Sequence, residues 1–256
     1  MSNQQFSEYN IKPGNFSNTD NTNVAVSSSY IAGVFMWMFS ALAISALFAW
    51  LFASNPQLLS YLYAINAKTG RMAPNALGYV VMFAPLGFVM LMGFGFQRLS
   101  VTALISVFLA YSAINGISFS FILLTFTAKS IMGCFASAAA MFGVMAVMGY
   151  TTKKDLTSFG RIMMMGLIGI LLASLINMFL GSSGLDYLIS IIGVAVFTGL
   201  TAYDVQKLKA IGAGVQYGEI SAQEGQKLSI LGALNLYLDF INIFLLLLRL
   251  FGSRRD

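Results

Sequence analysis

Residues 228–248 read LSILGALNLYLDFINIFLLLL, with one charged side chain, Asp239, in the whole stretch. Roughly 20 apolar residues suffice to carry a helix across the hydrocarbon of a bilayer, where every backbone amide must be bonded within its own segment. The stretch therefore predicts a transmembrane helix. Asp239 lies 239 − 228 = 11 residues into it, or about 16 Å at about 1.5 Å per residue. A carboxylate at that depth costs a few kcal/mol or more, so it faces a cavity or another polar group and marks a site.

Six further windows contain no Asp, Glu, Lys or Arg: Tyr30–Ser54, Ala76–Phe96, Leu99–Ala128, Ser130–Thr152, Ile162–Leu185 and Tyr187–Tyr203. The third and fourth abut at Lys129, which leaves their boundary soft. Period-2 alternation is absent, which argues against a β-barrel. Composition agrees: 58% of the residues are hydrophobic, 9% are charged and mean hydropathy is +0.79, whereas a soluble globule is usually about 25% charged. The expected fold is an all-α bundle of seven transmembrane helices, with the seventh, apolar on most sides around its aspartate, at the centre.

The domain plan is simple. Residues 1–29 are polar and rich in Asn, Ser and Thr; without a basic n-region before an apolar core they are not a cleavable signal peptide, and they are expected to be a disordered tail. Residues 30–252 form the membrane domain and 253–256 a short C-terminal tail. With the N-terminus in the cytoplasm, Lys12, Arg98, Lys153, Lys154, Arg161, Lys207, Lys209 and Lys227 fall inside, against Lys68, Arg71 and Lys129 outside before the last helix. That asymmetry favours a cytoplasmic N-terminus, although Arg249, Arg254 and Arg255 then fall outside. The cations flank helices as interfacial anchors do, and no basic stripe with interleaved aromatics suggests a nucleic acid.

Absent residue types narrow the chemistry. The chain has no histidine and a single cysteine, Cys134, so His-based triads, an imidazole pH switch, an internal disulfide and a cysteine-rich zinc site are excluded. No glycine-rich phosphate loop follows a strand. The glycines of GLIGI (166–170) and GFGF (93–96) read as packing points between membrane helices. No cofactor and no enzymatic activity are expected.

A second aspartate, Asp204, closes the sixth window and precedes Lys207 and Lys209. Consecutive helices run antiparallel, so Asp204 and Asp239 approach each other if the sixth helix continues past Lys209. Two simpler roles stand beside that one: Asp204 pairing with Lys207 at i+3, and Asp239 making a structural hydrogen bond to another helix.

GYTTKKDL (149–156), TAYDVQKLK (201–209) and ALNLYLDFINIFLLLLRLFG (233–252), with NGISFSFILL (115–124) in the third window, resemble the signature segments of the Bax inhibitor-1 family, also called transmembrane Bax inhibitor motif proteins. The similarity runs in family order from about residue 30 to 252. It implies a bacterial-type member in the inner membrane. It also implies that Asp204 and Asp239 form a hydrogen-bonded carboxyl pair, the pH-sensing latch of a calcium leak, with Arg98 at the end of the second helix as an alternative partner for Asp204. Arg98 has a plainer reading as an interfacial anchor. Some bacterial members carry an acid about three turns before that arginine; residues 84–96 contain none, only Pro85.

The physics fits such a latch. Two carboxyls in a poorly solvated site cannot both ionise cheaply, so the pair holds a shared proton, and losing it leaves like charges that repel or capture a cation. Carboxylates are hard ligands suited to calcium, and two of them make a weak metal site. The partners expected are thus the lipid bilayer and calcium ions. The resemblance also implies a regulatory protein that modulates a membrane-anchored AAA protease, or stress and cell-death pathways; there the tail and the loop GAGVQYGEISAQEGQ (212–226), with Glu219 and Glu224, matter more. That loop reads as a lid, a partner contact or, since surface loops tolerate length cheaply, foremost a neutral insertion. An intramembrane aspartyl protease also places aspartates on two such helices, but the Leu236-Tyr237-Leu238 run before Asp239 replaces that class's Gly-x-Gly and would block an extended substrate.

Overall fold

A computed structural model describes residues 21–65 and 72–255. Within these, α1 (Asn21–Ser54) leads to a short α2 (Pro56–Ser60) and a hairpin of β1 (Tyr63–Ile65) and β2 (Met72–Pro74). Then come α3 (Ala76–Gly95), α4 (Val101–Thr125), α5 (Ala128–Thr151), α6 (Thr157–Leu180), α7 (Ser183–Gln216) and α8 (Ala222–Phe251). Seven of these helices, all but α2, are long and apolar enough to cross a membrane. The protein is an all-α membrane protein. Residues 1–20 of the expected tail lie outside the described residues, and α1 is helical from Asn21, within the stretch expected to be disordered.

The chain divides into two compact units. The first holds Met36–Thr127 with Arg254 and Arg255. In it α1 and α4 meet backbone to backbone: a Cβ at Gly116 would collide with the Ser45 carbonyl, and the Ser45 hydroxyl donates to the Ser112 carbonyl at 2.7 Å. The Ser118 hydroxyl ties α4 to the Val81 carbonyl of α3 at 3.0 Å. Asn55 caps α2 and Asn75 caps α3, each side-chain oxygen accepting first-turn amides, so the hairpin sits between two capped helix starts. The soft boundary resolves at Phe126, where the backbone turns extended (φ −109°, ψ 153°) after α4.

The second unit holds Ala128–Ser253 with α1 up to Phe35. Here α7 packs on α5, α6 and α8, and α5 packs on α8. The last helix, α8, is the most buried of the seven, α7 is next, and α6 exposes nearly all of its apolar surface. In a bilayer that surface meets lipid, since tails are as apolar as leucine. The Tyr30 hydroxyl donates to the Gly225 carbonyl at 3.2 Å and its ring covers Gly212, fixing the start of the membrane part of α1 against α7 and α8.

Two expectations need correction. The sixth helix does not end near Lys209 but runs to Gln216, because Lys209 turns back onto the protein, donating to the Tyr150 carbonyl at 2.8 Å with its ammonium 5.0 Å over the Tyr150 ring. The connection to α8 consequently spans only 217–221, with Gly218 at φ 75° making the turn and the Ser221 hydroxyl accepting from the Glu224 amide at 3.2 Å to start α8. Most of 212–226 is therefore helix rather than a lid-sized loop.

Candidate functional site

Small residues set the register between α7 and α8. Gly232 lies under Leu208, Gly225 under Val215 and Gly193 under Leu246, each so close that a Cβ on the glycine would strike the opposing side chain. Extending this pairing puts Asp204 level with Leu236, three residues short of Asp239, so the two aspartates differ by only about 4.5 Å along the helix axes. The structure brings the pair together. The register sets the two carboxyls on facing helices about one turn apart, with Lys207 one turn along α7 from Asp204.

Their surroundings differ. Asp239 is 5% exposed, and its Oδ2 is a fully buried oxygen with no hydrogen-bond partner among the described residues. Asp204 is half-buried, and no hydrogen bond joins the two carboxyls among the described residues. An unpaired buried carboxyl oxygen costs free energy that the fold tolerates only where some other gain offsets it, or where a proton, water or ion is its partner. No third Asp, Glu, His or Cys joins the pair among the described residues. Arg98 lies in the first unit, exposed in the turn after α3, and forms no ion pair among the described residues.

The turn of α7 that carries Asp204 is held on three sides by the end of α5 and the start of α6. Gly149 lets the α5 backbone touch the Ala202 carbonyl, and Gly160 lets α6 lie flat on the Tyr203 ring. Between them the Gln206 amide grips the α5–α6 connection: its Oε1 accepts from the Leu156 amide and its Nε2 donates to the Lys154 carbonyl, both at 2.8 Å. In that connection, hydrogen bonds from the Thr157 hydroxyl and then its backbone N–H hold the Asp155 carboxyl below the ordinary aspartate range, helped by Arg161 and opposed by slight burial. Gln206, Gly149 and Gly160 were not singled out from sequence. The only signal for Gly149 and Gln206 was a place inside the GYTTKKDL and TAYDVQKLK segments, and Gly160 lies outside both. Beside the same turn lies a cavity of about 370 Å³ lined by residues of α1 and α5 and by Val205 of α7.

A family model described as inhibitor of apoptosis-promoting Bax1 matches residues 27–256. The chain belongs to the Bax inhibitor-1 family. An inner membrane protein of Escherichia coli K12, YbhL, is 44% identical over 227 residues, covering 89% of this chain and 92% of the relative. A protein of Rickettsia prowazekii is 45% identical over 179 residues (70% and 74%), and one of Borreliella burgdorferi 38% over 234 residues (91% and 95%). The match reaches across all seven membrane helices of this Bax inhibitor-1 family member, both aspartates included.

Proposed function

We propose that the protein is a proton-controlled, calcium-permeable leak of the bacterial inner membrane, with its N-terminus in the cytoplasm, gated by Asp204 and Asp239. The observation that carries this reading is the buried Oδ2 of Asp239, which has no partner among the described residues and lies about one helical turn in register from Asp204 on the facing helix. With a shared proton the pair carries one negative charge, which Lys207 balances from one turn away along α7. Deprotonation puts two like charges on facing helices, which drives α7 from α8 or draws in a divalent cation. Two carboxylates without a third suit a weak, exchangeable calcium contact rather than a storage site.

The regulatory reading, with a membrane-anchored AAA protease as partner, leaned partly on the loop between the last two helices. At five residues, 217–221, that connection offers little surface. Calcium influx into dye-loaded proteoliposomes from about pH 6 to about pH 8 tests the leak. Wild type should pass more calcium as pH rises, and Asp204→Asn and Asp239→Asn should flatten that dependence. No flux above empty liposomes, with folded protein verified, would refute the leak and favour the regulatory reading.

A further inference from the structure

The leak reading leaves unassigned two polar side chains of α8. Asn235 and Asn242 stand one turn before and one turn after Asp239. At about 100° per residue the three side chains fall within an arc of about 60°, and their Cα atoms are spaced by rises of about 6 Å and 4.5 Å. Asn235 and Asn242 are half-buried, as are Leu238 and Leu245 farther round the helix, whereas Asp239 and residues 236, 237, 240, 241, 243 and 244 are buried, so the aspartate lies at the covered edge of the face that carries the two amides. Membrane helices usually bond an amide to a neighbouring helix. The Asn235 side chain makes no hydrogen bond among the described residues. Asn242 spends its Nδ2 on the Leu238 carbonyl of its own helix at 2.8 Å, which leaves its Oδ1 without a donor among the described residues.

We propose that Asn235, Asp239 and Asn242 form a ladder of hard oxygen ligands that replaces part of the hydration shell of a divalent cation moving along α8. The inference rests on the leak reading and deepens it. Amide and carboxylate oxygens are the ligand types calcium takes, and a path must offer several weak sites in series for an ion to enter and also leave. Leu208 over Gly232 closes the packing before the ladder, and Leu246 over Gly193 closes it beyond, followed by the Asp186–Arg249 ion pair at 3.0 Å. The three oxygens thus occupy a segment with apolar contacts at both ends.

The test uses full-length protein with Cys134→Ala, which removes the only cysteine, and single Asn235→Cys, Asn242→Cys and Leu172→Cys replacements. Leu172 is on the exposed face of α6. Labelling uses a small, water-soluble, cationic methanethiosulfonate applied to both sides of the membrane. Only a hydrated thiol ionises enough to react, so the two ladder positions should label at least about tenfold faster than Leu172→Cys, the ratio that one pKa unit of thiol desolvation sets. Calcium should slow them. In parallel, Asn235→Leu and Asn242→Leu should each cut calcium flux by at least about tenfold, the worth of one lost ligand. Ladder thiols no faster than Leu172→Cys overturn the proposal, even if wild type leaks. Reactive, calcium-protected thiols in a protein that shows no flux uphold the ladder and overturn the leak.

Discussion

Replacing Gln206 by Met keeps the length of the side chain but deletes both bonds to the α5–α6 connection. The Lys154 carbonyl is exposed and regains water, so its loss is small; the Leu156 amide is part-buried and is left short of an acceptor. The expected cost is about 1–2 kcal/mol, carried mostly by that amide. Because the connection is clamped locally, this cost appears as local opening rather than global unfolding. Hydrogen exchange in detergent micelles reads it directly: the Leu156 amide should lose about tenfold protection in Gln206→Met, since 1.4 kcal/mol is a factor of ten. The Gly160 amide, bonded to the Leu156 carbonyl at 2.7 Å, should loosen with it. Amides of the α8 core around Leu236 should not change. Equal protection of Leu156 in wild type and variant would refute the clamp.

Three further outcomes follow from the same geometry. Gly149→Val pushes a side chain into the Ala202 carbonyl of α7, where backbone cannot yield; thermal unfolding should show a loss of about 1–3 kcal/mol or more. Asp239→Leu removes a buried oxygen that has no partner among the described residues and should raise thermal stability by about 1–3 kcal/mol while abolishing any pH response, a trade of stability against function. The depressed Asp155 carboxyl makes its hydrogen bonds to Thr157 fully available above the ordinary aspartate value of about 3.9 and loses them as pH falls through its lower folded value. Protection of the Thr157 amide should fall in that acidic window, and Asp155→Ala should show neither the protection nor its loss.

The spans were legible because uncharged runs of membrane length are a rare signal with one physical meaning, and the two aspartates stood out because intramembrane carboxylates are rare as well. Where α7 ends was not, since Lys207 and Lys209 read as the exit from the membrane. Only the packed structure shows Lys209 folded onto Tyr150. The glycines of 212–226 likewise suggested a loop, yet Gly212 is a buried helical contact for Tyr30. A better signal lay nearby: Ser221 followed three residues later by Glu224 is a helix-start pattern, and α8 does begin there. The three-residue strands β1 and β2 are too short for any alternation to be read. Gln206 carried no signal of its own, because its partners are backbone atoms 50 and 52 residues away.

The central claim is that one proton held between Asp204 and Asp239 controls cation passage. Infrared difference spectroscopy of reconstituted protein, titrated upward in pH alongside the calcium flux, tests it most directly. The account predicts a single carboxylic-acid carbonyl band that disappears over the same pH interval in which flux rises, and that is missing in both Asp204→Asn and Asp239→Asn. A band that stays unchanged while flux rises, or that survives in either variant, would contradict it.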